Sequence, residues 1–349
     1  MKVLFLIPQR YGLFYSLKKA FESLNAEIHP VDFYQFISPV EKKINVQVFR
    51  LPDRLRQKWE KYYLRKINKH YREVYDQVKP DLIFIYNNEM LLPETLTYFK
   101  QRSKIAFFLG DHPLYTPLNR YFLALLFQAD AIFAPDTFWI DQLKKMGLKN
   151  LEHFCPGIPE DFYFEKPLEN GAPKVFQSDV LYIGMCYANN WGYKKARFLN
   201  QFTDFDLKIF GNKHWKRWFG FFPKLEDHFQ LKNDYYSENR MNDMYNATRI
   251  IPIDGNPGVI QGVHFRMFEA LGAGTLPVLE WQNDLSTIFP EEADLPAPRT
   301  YEEIKEITGY YLDNETARKE KVTWMKAIIR KKYCPVKNGA LIADTLGLN

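Results

Sequence analysis

The sequence predicts an α/β chain built from two doubly wound parallel sheets with Rossmann-like βα alternation. Three observations predict it. Short apolar runs of strand length alternate with amphipathic helical stretches along most of the chain. A stretch rich in Pro and Gly and without periodicity, Pro156 to Ser178, separates two such series. Arg249 to Glu280 reads as strand, Gly-rich loop, helix and strand.

In the first series Lys2 to Pro8 is a buried-type strand, and Phe14, Leu17, Phe21 and Leu24 then recur at helical spacing. Ala26 to Phe33 is read as a second strand. A long amphipathic helix runs from Pro52 to about Val78, with Leu55, Trp59, Tyr63, Ile67, Val74 and Val78 as its apolar stripe. Pro80 ends it. Asp81 to Tyr86, Ile105 to Leu109 and Ala131 to Ala134 follow as strands, with helices from Pro93, from Asn119 and after Asp136, a candidate N-cap. The second series has strands at Val180 to Ile183, Leu207 to Phe210, Arg249 to Asp254 and Thr275 to Leu279. Its helices lie at Trp191 to Phe202, Ser237 to Asn246 and His264 to Ala273. Thr300 with Glu303 forms a capping box for a helix to about Leu312, another runs from Glu315 to Lys332, and a last short helix occupies Val336 to Leu348.

The chain has 349 residues, enough for two domains that each bury a core, at 1–156 and 157–334. Its 46% hydrophobic and 26% charged residues are those of a globular protein, and 29 Phe and 22 Tyr make it rich in aromatics. A net charge of +5 permits an anionic substrate, a membrane surface or nucleic acid and requires none. Three scattered cysteines, Cys155, Cys186 and Cys334, form neither a disulfide framework nor a zinc site. MKVLFLIPQR is too short an apolar run for a signal peptide, and no run reaches the length of a membrane span, so the expectation is a cytoplasmic protein.

Candidate chemistry concentrates in Arg249 to Glu280. Glycines at 255, 258 and 262 let backbone approach an anion, and the start of the following helix presents N–H groups and the positive end of its dipole. Gly262, Val263, His264 and Phe265, with Arg266, are the candidate diphosphate contacts. Glu269, set back by about two turns from the loop, suits a ribose diol, and Arg266 lies on nearly the same face. The same residues also fit a surface ion pair beside an ordinary turn.

FRMFEALGAGTLPVLE resembles the nucleotide-sugar segment of GT-B glycosyltransferases, and most of all the CgeB (spore maturation protein) type. The family's Arg-x-Phe-Glu-Ala-x-x-x-Gly pattern falls here on Arg266, Phe268, Glu269, Ala270 and Gly274. Gln261 stands where larger retaining families carry the first Glu of a Glu-x7-Glu motif. The likeness starts near Asp179, continues through DLKIFG to YEEIKEITGYYLDNETARKE, and touches the first half clearly only in FLGDHP. It implies the GT-B fold: two Rossmann-like doubly wound parallel-sheet domains facing a central cleft, with the C-terminal helix, 335–349, returning to the first. It also implies a hexosyltransferase-type enzyme taking a UDP-, GDP- or dTDP-linked sugar to an acceptor hydroxyl, with no metal and no other cofactor. Tyr235 falls where the base would stack.

Further candidates sit at strand ends, where doubly wound sheets bind ligands. Lys194 and Arg197, with Lys195 between them, suit a diphosphate or a solvated helix face. Asp111 and His112 suit a general base for the acceptor hydroxyl, and Asp111 equally suits a turn before Pro113. Gly12 and Arg10 are candidate acceptor-side residues. Two basic-aromatic stretches remain. The helix at 54–72 reads as an ordinary amphipathic helix with a solvated basic face. Residues 213–224, KHWKRWFGFFPK, are the candidate membrane or acceptor contact; nucleic acid is not expected. A non-catalytic nucleotide or sugar-phosphate binding module is the alternative reading. A dinucleotide oxidoreductase is disfavoured, because the first strand ends in PQRYG rather than Gly-x-Gly-x-x-Gly.

Overall fold

The structure is a computed structural model. It describes the chain except residues 10, 11, 49, 88, 89, 115–120, 167–173, 232–237, 257, 291–293 and 349. The chain forms two compact units, Met1–Pro156 with Pro335–Asn349, and Gly157–Cys334.

The first unit is a six-stranded parallel sheet of β1 (Lys2–Leu6), β2 (Glu27–Pro30), β3 (Leu82–Tyr86), β4 (Lys104–Phe108), β5 (Ala131–Ala134) and β6 (Leu151–His153), in the order β2-β1-β3-β4-β5-β6. Its helices are α1 (Gly12–Glu22), α2 (Pro39–Val48), α3 (Asp53–Val78), α4 (Pro93–Lys100), α5 (Phe122–Leu126) and α6 (Thr137–Lys145). The central strands are buried on both faces, which is why they read as continuous apolar runs. The Phe-rich composition is spent on this core. Phe5 packs on Phe21 at 5.0 Å and on Phe84 at 5.6 Å between ring centroids, and Phe133 packs on Phe154 at 5.5 Å. Asp136 caps α6, its carboxylate accepting the Trp139 N–H at 3.2 Å.

The second unit is a five-stranded parallel sheet of β7 (Ser178–Ile183), β8 (Leu207–Gly211), β9 (Phe229–Leu231), β10 (Thr248–Ile253) and β11 (Leu276–Leu279), in the order β11-β10-β7-β8-β9. Around it lie α7 (Asn190–Leu199), α8 (Lys224–His228), α9 (Glu238–Asn246), α10 (Arg266–Gly272), α11 (Leu285–Ile288), α12 (Glu303–Asp313) and α13 (Glu315–Lys332). The chain then returns to the first unit as α14 (Pro335–Leu346), which lies against α1. A Cβ at Gly339 would stand 2.4 Å from Ser23 Oγ and 2.5 Å from Ala20 O, so glycine permits this close approach. Lys104 Nζ donates to the carbonyls of Leu346 and Gly347 at the helix end.

β6, β9, α2, α8 and α11 are additions to the sequence reading. The two strands have three residues each, and polar side chains interrupt both. At Thr300 and Glu303 the expected cap is present in another form: Glu303 accepts the Thr300 hydroxyl at 3.0 Å and the Arg299 N–H at 2.9 Å, and α12 begins at Glu303 itself.

Candidate functional site

In the second sheet the strand order turns between β7 and β10, and ligands of doubly wound sheets bind beyond the carboxyl ends at such a point. A pocket of about 170 Å³ lies there. Gly184, Met185 and Tyr187 after β7, Ile253, Asp254 and Asn256 at the end of β10, Lys195 on α7, and His264 and Arg266 leading into α10 form its wall. Pockets that enclose a whole drug-sized ligand hold roughly 300–1,000 Å³. At about 170 Å³ this one matches one charged group rather than a whole ligand.

Lys195 Nζ is 2.9 Å from Asp254 Oδ2 and donates to Tyr182 Oη at 2.6 Å, while Tyr182 Oη donates to Asp254 Oδ1 at 2.8 Å. All three side chains are buried. Burial alone would raise the Asp254 pKa, but Lys195 and the hydrogen bonds outweigh it, and the carboxyl stays below its ordinary value. Burial, reinforced by the Asp254 charge, pushes Tyr182 far up, so its hydroxyl remains a donor. His264 is held neutral. Burial, with Arg266 beside it, lowers its pKa to about 3. Its Nδ1 accepts the Arg266 N–H at 3.2 Å, which leaves the proton on Nε2. Arg266 adds a second cation to the pocket wall beside Lys195, and its charge also reaches Glu269, where it opposes the rise that burial causes in the carboxyl pKa. Its guanidinium carbon lies 5.8 Å from the centre of the Tyr182 ring. A Cβ on Gly184 would come within 3.0 Å of Arg266 Nη1 and 2.8 Å of the Tyr182 ring, so glycine after β7 is what lets the guanidinium reach this place.

Several expectations change here. Of the three basic residues near the start of α7, Lys195 lines the pocket. Lys194, about 100° further round the helix, is held 2.6 Å from Glu280 Oε2, and Arg197 is exposed. The amides that begin α10 are already occupied. Arg266 N–H goes to His264 Nδ1, Met267 N–H to His264 O and Phe268 N–H to Phe265 O, each within 3.2 Å. Gly262 and Val263 are buried, and Phe265 packs on Phe268. Glu269 does not line the pocket. Its carboxylate accepts the Tyr245 hydroxyl at 2.8 Å, and burial raises its pKa, so it does not stand in open solvent. Gly274 has φ +77°, and a Cβ there would meet Glu165 at 2.6 Å, which accounts for glycine between α10 and β11. Tyr235 and Arg10 lie outside the described residues.

In 213–224 the aromatics turn inward. Trp215, Trp218 and Phe219 are buried, Phe222 is half-buried, and Phe221 alone is largely exposed. Trp215 Nε1 donates to Gly184 O and Trp218 Nε1 to Tyr187 O, both at 3.0 Å. These two indoles pin the loop after β7 that forms one pocket wall. An Asp-x-Asp sequence, a pattern that can hold a metal ion, occurs at Asp204-Phe205-Asp206. It precedes β8, at the end of the sheet opposite the pocket. Asp204 is held by Lys224 at 2.9 Å and Lys305 at 2.7 Å, and Lys224 first among these lowers its pKa to about 2. Among the described residues no three His, Cys, Asp or Glu side chains gather as a metal site, and no helix is long and apolar enough to cross a membrane.

In the first unit the candidate residues follow β1, β3 and β4, around the turn of strand order between β1 and β3. Gly12, buried, begins α1. Asn87, with φ +51°, accepts the Gly110 and Asp111 N–H groups at 2.8 and 3.1 Å and donates to Asp111 Oδ2 at 2.8 Å. Asp111 is exposed as a residue, yet crowding around its carboxyl raises its pKa against the Asn87 hydrogen bond. Burial lowers the His112 pKa, and His112 Nδ1 accepts the Leu114 N–H at 3.0 Å.

Residues 194–340 match the family model described as "Glycosyl transferase-like". Solved structures match over the whole chain at low identity. Sucrose-phosphate synthase from Thermosynechococcus elongatus aligns over 100% of this chain and 98% of its own, with a TM-score of 0.66 and 10% identity. HepE of Anabaena, solved with UDP and glucose, covers 100% of both chains at a TM-score of 0.64 and 14% identity. UDP-GlcNAc 2-epimerase from Neisseria meningitidis, bound to UDP-GlcNAc, also covers 100% of both, at 0.58 and 12%. The fold is GT-B: two Rossmann-like domains, each on a parallel sheet. The epimerase shows that the fold carries more than one chemistry. No curated protein sequence matches the chain significantly.

Proposed function

We propose that this protein is a glycosyltransferase that moves a sugar from a nucleotide-diphosphate sugar to an acceptor hydroxyl. The observation that carries the reading is the pocket between β7 and β10, with Lys195, His264 and Arg266 on its wall, lined in part by the segment that matches the glycosyl transferase-like model. The diphosphate occupies that pocket, and the rest of the donor extends from it. HepE was solved with UDP and glucose, and a UDP-sugar is the first donor to try, with GDP- and dTDP-sugars after it.

In this reading Arg266 and the Nε2–H of His264, the residues of this stretch on the pocket wall, hold the diphosphate together with Lys195. As the bond from the anomeric carbon to the leaving oxygen breaks, that oxygen takes the electron pair, and Arg266 stabilises the charge growing there. The acceptor oxygen forms the new bond. Its proton passes to Asp111 in an inverting enzyme, with His112 as the alternative base. Glu269 accepts from Tyr245 and Tyr163 and keeps further lone pairs, which receive the ribose diol. A cationic side chain already faces the leaving group, so the proposed reaction uses no metal ion.

The test is a thermal-shift series with UDP, GDP, dTDP and their sugars, followed by a transfer assay with and without excess chelator. One nucleotide class is expected to raise the melting temperature, and transfer is expected to persist in chelator. Stabilisation without transfer or donor hydrolysis supports a non-catalytic binding module instead. No stabilisation by any nucleotide removes the anion-pocket reading. Loss of transfer on chelation, restored by Mg²⁺ or Mn²⁺, removes the metal-independent mechanism.

A further inference from the structure

α2 is amphipathic the wrong way round. Its inward side carries polar groups. Glu41 receives Lys66 Nζ at 2.8 Å and the Tyr62 hydroxyl at 3.2 Å, and Asn45 receives Trp59 Nε1 at 3.1 Å. These rungs fasten α2 to α3, and no residue of α2 is buried. Its aliphatic residues face outward instead, with Val40 at 64% exposure and Val46 at 58%, and Ile44 also exposed. Leu51 and Leu55, at the turn into α3 and on its first turn, extend the exposed apolar surface.

On α3 the exposed face continues as a basic stripe. Arg54, Lys58, Lys61, Arg65 and Lys69 are spaced by four, three, four and four residues, so they fall in one line, and all five are exposed. The line is about 22 Å long at the rise of an α-helix. Leu55 and Tyr62 flank it, both exposed. The acids of the first turns lie on another side, with Asp53 2.5 Å and Glu60 3.9 Å from Arg56. Residues 39–72 hold eleven Lys and Arg against three Asp and Glu, while the whole chain holds 47 against 42. The rest of the protein is therefore acidic on balance, and the positive charge is gathered at this face.

We propose that α2 and the first half of α3 form a docking surface for an anionic phospholipid bilayer. The basic stripe meets lipid headgroups, and Val40, Ile44, Leu51, Leu55 and Tyr62 enter the interface between headgroups and acyl chains. Nucleic acid would satisfy the cations but gives exposed Val, Ile and Leu nothing to bury against. A second copy of the chain would set the same excess of positive charge against itself. The inference is independent of the transferase reading, because no residue in it takes part in donor binding or catalysis. It also moves the expected membrane contact from 213–224, whose aromatics are mostly internal, to the stretch that the sequence reads as an ordinary solvated helix.

The experiment is co-sedimentation of the full chain with vesicles of phosphatidylcholine alone and of phosphatidylcholine mixed with phosphatidylglycerol. Binding is expected only to the mixed vesicles, and weaker at high salt. Lys58→Glu/Lys61→Glu/Arg65→Glu is expected to lower partitioning by about 100-fold or more. Val40→Ser/Ile44→Ser/Leu55→Ser is expected to lower it by about tenfold at unchanged charge. All six residues are exposed, so both variants should melt as the parent does. Equal binding to both vesicles overturns the proposal, as does a charge variant that sediments like the parent. Competition of an oligonucleotide with vesicles at similar affinity assigns the face to nucleic acid. A dimer in solution that the same variants dissolve assigns it to a second copy.

Discussion

Both units place candidate residues beyond the carboxyl ends of a parallel sheet, but they hold them by different means. After β3 and β4 the frame is neutral: Asn87, in a left-handed backbone conformation, joins its own loop to the amides of Gly110 and Asp111. The carboxylate it presents, Asp111, belongs to an exposed residue. After β7 and β10 the frame is a lysine and an aspartate, both buried and locked to Tyr182. A neutral frame can lose or change its charged residue at little structural cost. A frame made of buried charge cannot, because one partner alone is far more costly to bury than the pair. The second site is therefore tied to the stability of its unit, and the first is separable from it.

Five substitutions sharpen or break that contrast. The largest effect is expected at Lys195. Lys195→Ala leaves Asp254 buried without its counter-charge, and unfolding by denaturant should show a loss of about 3–5 kcal/mol. A loss below about 1 kcal/mol would mean that water reaches the pair and that the two frames do not differ.

Asp111→Asn keeps the shape and the ability to accept from Asn87. As the base for the acceptor hydroxyl, Asp111 should then cost roughly 100-fold in turnover with donor affinity and melting temperature unchanged. Near-normal turnover removes it from the mechanism and favours a retaining reaction or His112.

Glu269→Ala should weaken nucleotide-diphosphate binding by roughly 1.5–3 kcal/mol, measured by calorimetry. It also strands the buried Tyr245 hydroxyl, so a stability loss of about 1–3 kcal/mol accompanies it. Tyr245→Phe separates the two, since it removes that hydroxyl and leaves the carboxylate. Equal donor affinity in the Glu269 variant and the parent would rule out the ribose contact.

The smallest effect concerns pH. The His264 pKa is depressed to about 3 in the folded state, so the unfolded chain binds more protons there as pH falls below the ordinary histidine value of about 6.5. Stability should therefore decrease as pH falls from about 6.5 towards 5, by at most about 1.4 kcal/mol per unit. The raised pKa of Glu269 acts in the opposite sense, because its folded form takes a proton more readily. His264→Asn isolates the histidine and should flatten the slope in that window. An unchanged slope would show that His264 is solvated and free to charge.

Much of the frame was legible in the residues, because its causes are local. Apolar runs of strand length, the Asp136 cap and the Pro80 stop act over a few residues, and they fall in place within one or two positions. α2 also carries a local signal: Ser38 and Glu41 exchange the hydrogen bonds of a capping box, with Pro39 between them. Periodicity did not find this helix, because its apolar residues do not face a core.

What the sequence by itself determined was the order of elements, the division near residue 156 and the glycine and basic positions that bound the candidate loops. Tertiary structure decided which of these positions act together. Lys194 and Lys195 are indistinguishable as letters, but about 100° of helix rotation sends one to Glu280 and the other to Asp254, 59 residues away. The two basic-aromatic stretches differ in the same way: α3 keeps its basic face exposed, and the aromatics of 213–224 are mostly internal. Exposure depends on what packs against a segment, and the partners of Trp215 and Trp218 are carbonyls more than 30 residues distant in the chain.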